Sequence, residues 1–124
     1  MSKILLIDDD AQMSELYKVG LNSAGHEVEL VEDGQQGLEK ALVMKPDIIL
    51  LDIMMPTMNG FDVLKQLRAA PEVEKTPVII LTNLAESSEE QTATAMGAKR
   101  YIVKNQTEPK ELAKIIDEVL KPKK

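Results

Sequence analysis

Five short apolar runs recur along the chain, and each has the length of a buried β-strand. They are Ile4–Ile7, Val28–Val31, Ile48–Leu51, Val78–Leu81 and Tyr101–Val103. Isoleucine and valine are frequent in them, and β-branched side chains pack well on a pleated sheet. The pattern predicts five strands, numbered here in chain order.

Apolar residues between these runs recur every three or four positions, which is the spacing of one helix face. The helical segments lie at residues 13–24, 38–42, 61–67, 86–96 and 107–120. The apolar residues of the fourth segment are small or flexible, such as Ala93 and Met96, so we expect a weakly held helix. The fifth segment has Pro109 near its start and a continuous apolar stripe from Leu112 to Leu120, which should pack on the sheet.

Strict alternation of strand and helix predicts an α/β fold, a doubly wound five-stranded parallel sheet with right-handed crossovers and helices on both faces. The first, third and fourth runs are uninterrupted, as in strands that are buried on both sides. Glu29 interrupts the second run, and Arg100 and Lys104 flank the fifth, so strands two and five should lie at the edges. The flavodoxin-like strand order 2-1-3-4-5 satisfies both conditions.

Composition narrows the class of protein. A length of 124 residues fits one domain, which we assign to residues 1–120, with 121–124 as a C-terminal tail or the start of a linker. The formal net charge of −6 and the scattered cations argue against direct nucleic-acid binding. The chain has no cysteine, which suits a reducing compartment, and no run approaches the roughly 18 apolar residues of a membrane span. We therefore expect a cytoplasmic protein without membrane contact.

Polar residues that could carry chemistry follow the carboxyl ends of four predicted strands. Asp8 and Asp9 follow the first strand, Asp52 the third, Thr82 the fourth and Lys104 the fifth. The carboxyl ends of parallel strands meet at one edge, and ligands bind there where the strand order reverses. We expect these side chains to converge, and we assign the neighbouring Asp10 to capping the first helix.

Three carboxylates that share a site oppose their own ionisation unless a cation joins them. Oxygen ligands favour Mg²⁺ over zinc, because the chain lacks cysteine and its only histidine, His26, is expected to be solvated. Lys104 and Thr82 could then donate to phosphoryl oxygens while a carboxylate attacks phosphorus. Each residue alone is more often structural than functional, and only their joint placement favours a site.

Four motifs resemble the response-regulator receiver family of two-component signalling, across essentially the whole chain. They span residues 4–10, 46–60, 77–82 and 97–104. The resemblance implies that Asp52 accepts a phosphoryl group. It implies a Mg²⁺ ion held by Asp9, Asp52 and the Met54 backbone carbonyl, with Asp8 helping through water. Thr82 and Lys104 would contact the phosphoryl group.

The resemblance also implies a switch and its partners. Thr82 would move toward the phosphoryl group while Tyr101 turns inward, and this would remodel the face made by helix four, strand five and helix five. The donor would be a sensor histidine kinase or a histidine phosphotransfer protein. The receiving partner would be an unknown downstream protein or output domain. Such a chain is a signalling switch, not an enzyme, because it catalyses only its own phosphorylation and dephosphorylation.

The chain departs from the family pattern near the expected site. Asn105 follows Lys104 where the family usually has proline, and Asn83 follows Thr82 where alanine or glycine is usual. Met54 and Leu84 occupy the two positions that often tune hydrolysis, and neither side chain can orient an attacking water. We therefore expect a long-lived acyl phosphate.

Two other functions fit parts of the sequence. Residues 8–10 and 79–83 also resemble motifs of haloacid-dehalogenase-type phosphatases, in which Asp8 would be the nucleophile. Gln12 departs from that pattern, and Asp52 would then have no role. The third hypothesis is an interaction module that binds a partner without phosphorylation, although the intact set of polar residues argues against it.

Overall fold

The computed structural model describes residues 2–53, 59–83 and 87–120. The strands are β1 Lys3–Ile7, β2 Glu27–Val31, β3 Ile48–Leu51, β4 Val78–Thr82 and β5 Arg100–Val103. The helices are α1 Ala11–Ser23, α2 Gly34–Met44, α3 Gly60–Ala69, α4 Ser87–Ala95 and α5 Pro109–Leu120, with a short 3-10 helix at Lys104–Gln106. These elements agree with the predicted ones. The predicted tail at 121–124 lies outside the described residues.

The five strands form one parallel sheet in the order β2-β1-β3-β4-β5. The predicted order is therefore confirmed, with β2 and β5 at the edges. The side chains of β3 and β4 are fully buried, whereas both edge strands carry exposed positions. Uninterrupted apolar sequence marks the central strands because both of their faces are covered by helices.

Alternation along the strands divides the core into two clusters. Ile4 and Leu6 of β1 pack with α1 and α5, on what we call the α1–α5 side. Leu5 and Ile7 pack on the opposite face, with α2, α3 and α4, which we call the α2–α4 side. Successive strand residues point to opposite faces, so one apolar run supplies both clusters.

Short polar side chains begin three of the helices, next to the site edge. Asp10 accepts from the Met13 N–H at 3.2 Å, and Asp33 accepts from the Gln36 N–H at 2.8 Å. Asn59 accepts from the Phe61 N–H at 2.7 Å. Each cap satisfies an N–H that the helix itself leaves without a partner. The predicted capping role of Asp10 is thus confirmed.

The last two helices differ in how firmly they are held. Among the described side chains of α4, Ala93 alone is buried. In α5, Leu112, Ala113 and Ile116 are buried against the sheet. Both observations agree with the prediction of a weak fourth helix and a firmly packed fifth.

His26 is not solvated, and that expectation was wrong. Only 8% of its surface is exposed, and its Nε2 lies 3.2 Å from Asp117 Oδ1. The chain reverses at Gly25, where φ is +96°, and this turn brings His26 back beside α5. Spacing along α1 could not reveal the contact, because Asp117 comes from a distant helix.

None of the described helices has the length and apolar character that a membrane span needs.

Candidate functional site

Strand alternation continues past the strand ends and brings three charged residues together. Asp8 comes two residues after Leu6, Asp52 two after Leu50, and Lys104 two after Ile102. Those three apolar residues all pack on the α1–α5 side. The charged residues therefore share one parity as well as one edge of the sheet. Backbone hydrogen bonds extend the ladder to this point, with the Asp52 N–H donating to the Ile7 carbonyl at 3.0 Å.

Lys104 joins the two buried carboxylates. Its ammonium forms an ion pair with Asp8 Oδ2 and lies 3.3 Å from Asp52 Oδ2. The exposed fractions are 0% for Asp8, 5% for Asp52 and 3% for Lys104. The Asp10 N–H also donates to Asp8 Oδ1 at 2.9 Å. A buried charge is tolerated only when it is paired and hydrogen-bonded, and this arrangement provides both.

The pKa values of Asp8 and Lys104 are both raised, but by different causes. Burial raises the pKa of Asp8 from 3.8 to about 6, although the hydrogen bond and charge of Lys104 act in the opposite sense. Burial alone would lower the pKa of Lys104, but the hydrogen bond and charge of Asp8, followed by those of Asp52, raise it above its usual value. The Lys104 ammonium therefore stays charged at neutral pH, and the Asp8 carboxylate ionises less readily than an ordinary one.

The carboxylates also form a possible cation site. Asp8, Asp9 and Asp52 each offer one oxygen, and these atoms lie within 4.8 Å of one another. Asp8 and Asp52 are buried, while Asp9 is exposed at the mouth of the site. Oxygen donors without sulfur or imidazole suit a hard divalent cation such as Mg²⁺. Burial disfavours the ionised form of Asp8, and a bound cation would offset that unfavourable free energy.

The remaining predicted site residues lie nearby but differ in placement. Thr82 ends β4 and is fully buried, in register with Val103. It shares the parity of Val78 and Ile80, whose side chains pack on the α2–α4 side. Tyr101 is half-buried, packs on that same side and is in register with Ile80. Thr82 is thus at the site edge, whereas Tyr101 lies farther back along its strand. Met54 and Leu84 lie outside the described residues.

Two further features shape the edge of the site. A Cβ on Gly60, the first residue of α3, would collide with the backbone at Asp52 and Ile53, so the missing side chain lets α3 approach Asp52 closely. The described residues contain no cis peptide bond, so Lys104 and Asn105 are joined by a trans bond. With this trans bond, the Lys104 ammonium reaches both Asp8 and Asp52.

Sequence reasoning missed Tyr17. Its side chain is 1% exposed, and its hydroxyl donates to the carbonyl oxygen of Lys104 at 2.9 Å. The same hydroxyl lies 2.9 Å from the carbonyl oxygen of Thr107. The available signal was a tyrosine in the apolar stripe of α1, which predicts burial and a hydrogen-bond partner but does not identify that partner.

The family described as response regulator receiver domain matches residues 4–117 of this chain. The DNA-binding dual master transcriptional regulator RpaA of Synechocystis sp. is 36% identical over 104 residues, which are 84% of this chain and 43% of that protein. The solved structure of the Vibrio cholerae chemotaxis protein CheY4 is similar, with a TM-score of 0.89 and 33% identity over 96% of this chain and 98% of that chain. The BeF3-activated N-terminal receiver domain of Klebsiella pneumoniae RstA has a TM-score of 0.88 and 29% identity, covering 97% and 99%.

The chain spans less than half the length of the first curated relatives that it matches, at 43%, 46% and 47% of their residues. Two of those three are named as DNA-binding regulators. The expectation that this chain does not bind nucleic acid therefore stays an expectation. The family match and these relatives give the phosphatase hypothesis no support.

Proposed function

This chain belongs to the response regulator receiver family and is a phosphoacceptor switch of two-component signalling, and on that premise we propose that Asp52 accepts the phosphoryl group. One observation carries the choice of residue. Lys104 lies between two buried carboxylates, and Asp52 is the one that keeps some exposure, at 5%. Asp8 is fully enclosed and accepts the Asp10 N–H and the Lys104 ammonium. The nucleophile has to meet an external donor, and this favours Asp52.

The proposed transfer needs little covalent work from the protein. A carboxylate oxygen of Asp52 forms the new bond to phosphorus as the bond between phosphorus and the donor imidazole nitrogen breaks. The electron pair stays on that nitrogen, which then takes a proton from solvent. Lys104 is near enough to Asp52 to neutralise the transferred oxygens, and Thr82 is at the same edge to donate its hydroxyl. Positioning and charge neutralisation supply most of the acceleration in such reactions.

Receiver domains of this family typically bind Mg²⁺, and here we assign the ion to Asp8, Asp9 and Asp52. The support is the donor set, three carboxylate oxygens within 4.8 Å of one another. When bound, Mg²⁺ would offset the carboxylate charge and coordinate a phosphoryl oxygen. The Met54 backbone carbonyl remains a proposed ligand from the sequence alone.

The finer parts of the switch are also proposals. Thr82 and Tyr101 occupy strand positions that face the α2–α4 side of the sheet. A movement of Thr82 toward a phosphoryl group would therefore change the packing beneath α4. We propose that the face of α4, β5 and α5 then changes its affinity for a downstream protein or output domain. Receiver domains are phosphorylated by sensor kinases, and a histidine phosphotransfer protein is an equivalent donor for this chain. A cytoplasmic location and a long-lived acyl phosphate belong to the same proposal.

The test is intact mass after incubation with acetyl phosphate, with and without Mg²⁺. We expect one phosphoryl group on the wild type only when Mg²⁺ is present, and none on Asp52→Ala. Asp117→Asn is the matched control, because Asp117 is an acid with a side chain 66% exposed and outside the site. It should be phosphorylated like the wild type.

Other outcomes would choose a different function. An adduct on Asp8 that survives Asp52→Ala would favour the phosphatase hypothesis. A wild type that takes no phosphoryl group but binds its partner would favour the phosphorylation-independent interaction module.

A further inference from the structure

The buried hydroxyl of Tyr17 connects α1 to the backbone of Lys104. The oxygen lies 2.9 Å from the Lys104 carbonyl and 2.9 Å from the Thr107 carbonyl. These carbonyls flank the 3-10 turn Lys104–Gln106, which is closed by the Thr107 N–H donating to the Lys104 carbonyl at 3.2 Å. The single hydroxyl proton of Tyr17 is thus shared between the carbonyls at the two ends of the turn that begins with the site lysine.

The held turn carries the group that bridges the carboxylates. The ammonium of Lys104 reaches Asp8 and Asp52 from the end of a flexible four-carbon chain, so its aim depends on where the backbone starts. Asn105 follows, and no proline ring fixes the backbone dihedral there. Among the described residues, the Tyr17 side chain on α1 hydrogen-bonds the backbone at Lys104 and at Thr107, and so connects this turn to a different element.

The helix that carries Tyr17 is itself packed closely on the same connection. Gly20 lies one turn further along α1, and a Cβ there would collide with the Pro109 ring at the start of α5. Tyr17 is fully buried in the core of the α1–α5 side together with Leu21, Leu112 and Ile116. The phenol is thus held by packing at its ring and by two carbonyls at its hydroxyl. Burial raises the pKa of Tyr17; the charge of Lys104 lowers it by less, and the charge of Asp8 raises it slightly further. The hydroxyl therefore keeps its proton and stays a donor at neutral pH.

We propose that Tyr17 is a positioning residue for phosphoryl transfer, acting through the Lys104 backbone to aim the ammonium at Asp8 and Asp52. The proposal rests on the proposed function for its kinetic consequence. The geometric part, the coupling of a phenol on α1 to the ammonium of Lys104, does not depend on it.

Tyr17→Phe removes the hydroxyl and keeps the buried ring. The Lys104 carbonyl still accepts the Thr107 N–H, and the Thr107 carbonyl belongs to a half-buried residue that water can reach, so the variant should fold. At saturating Mg²⁺ we expect phosphorylation by acetyl phosphate to slow by roughly three- to tenfold, the range that one misplaced hydrogen bond produces. The affinity for Mg²⁺ should not fall with the rate, because Tyr17 contacts none of the proposed carboxylate ligands and a displaced ammonium leaves more negative charge on Asp8 and Asp52.

Ser14→Ala is the matched control. Ser14 lies one turn earlier on α1, its side chain is fully buried, and its hydroxyl has no hydrogen-bond partner within the part of the chain that the structure describes. The control therefore also removes a buried hydroxyl from the same helix, but one that makes no hydrogen bond to Lys104. Its phosphorylation rate should match that of the wild type.

A second readout separates this proposal from the proposed function. The ammonium resonance of Lys104, followed by NMR without any donor, should shift in Tyr17→Phe and stay in place in Ser14→Ala. If the wild type takes no phosphoryl group on Asp52, the proposed function fails while the NMR comparison still decides the coupling. An unmoved ammonium resonance, an unchanged rate in a phosphorylated protein, or a loss of Mg²⁺ affinity as large as the loss of rate would each overturn the role of Tyr17.

Discussion

The Asp8 carboxylate has no solvent exposure, and this burial makes its ionisation sensitive to pH in the Mg²⁺-free protein. Its pKa is raised from 3.8 to about 6 because burial outweighs the Lys104 ion pair. An acid with a raised pKa in the folded state binds its proton more tightly there than in the unfolded chain. The stability that this proton contributes is present in full below pH 3.8 and is lost as pH rises through about 6.

We therefore expect the free energy of unfolding of the Mg²⁺-free protein to fall between about pH 4 and pH 7 relative to Asp8→Asn, by on the order of 2–3 kcal/mol. Asparagine has nearly the same shape and cannot ionise, so the difference in pH dependence reports the Asp8 carboxyl together with its pairing to Lys104. Urea unfolding in a chelator at several pH values measures it. Parallel pH profiles for the two proteins would show that Lys104 compensates fully for the burial of Asp8.

The site residues could be identified from the sequence because each one directly follows an apolar strand. Asp8, Asp52 and Lys104 are two residues beyond buried positions of the same cluster, so alternation alone brings them together. The pairing within the site could not be predicted. Whether Lys104 meets Asp8 or Asp52 more closely depends on side-chain torsions and on the path of its backbone, and that path is set by Tyr17 from the other end of the chain.

At the scale of elements, α4 and α5 show how unevenly the helices are held. Ala93 is the one buried position among the described side chains of α4. The Thr92 and Thr94 hydroxyls donate to carbonyls one turn earlier, Ser88 and Glu90, each at 2.9 Å. Such back-bonding slightly weakens a helix, and threonine is a poor helix former. In α5, by contrast, a continuous apolar stripe is buried on the sheet.

Amide hydrogen exchange should reflect this difference. Amides of α4 should exchange faster than those of α5, because opening α4 exposes little apolar surface. Binding of Mg²⁺ and BeF₃⁻ at the site should change protection in α4 more than in α2, because α2 is held by buried side chains such as Leu38 and Ala41. Equal protection of α4 and α5 in the resting protein would contradict the argument from burial.

The weakness of α4 could be predicted from its composition, since few apolar residues leave little to bury. The contact between α1 and α5 could not. His26 and Tyr17 both acquire partners across that contact, Asp117 and Lys104, which are remote in sequence. Periodicity identifies the apolar face of a helix, but not which distant polar group will lie opposite a given residue on it.

At the scale of the whole molecule, a site of three carboxylates couples cation binding to stability. A ligand that binds only the folded state raises the free energy of unfolding by RT ln(1 + L/Kd), where L is the free ligand concentration. The three oxygens come from residues that follow β1 and β3, the two neighbouring strands between which the strand order reverses. Binding there stabilises the sheet as a whole, because both strands lie in the core.

We expect Mg²⁺ to raise the melting temperature at pH 7, and its removal by a chelator to reverse the change. The increase should be smaller for Asp9→Asn, which removes an exposed ligand without disturbing the buried pair. Thermal unfolding across a magnesium titration measures both effects. A Mg²⁺-induced increase that is the same in Asp9→Asn and in the wild type would exclude Asp9 as a ligand.

The strand order explains why the fold was predictable at this scale. Charges on β2 and β5 marked the edges and uninterrupted apolar runs marked the centre, and the flavodoxin-like order is a common doubly wound arrangement that satisfies both conditions. The contacts made by residues 54–58 and 84–86 fall outside the described residues, so the roles of Met54 and Leu84 stay predictions.

The site is assembled from residues that are far apart in the order of synthesis. Asp8 and Lys104 form an ion pair across almost the whole chain, and Tyr17 reaches the same lysine over a separation of 87 residues. On the ribosome, the carboxylates emerge long before their ammonium partner. A nascent or truncated chain that ends before β5 therefore has the carboxylates without the ammonium that pairs with them. The complete site can form only after β5 and Lys104 have been synthesised and have joined the sheet.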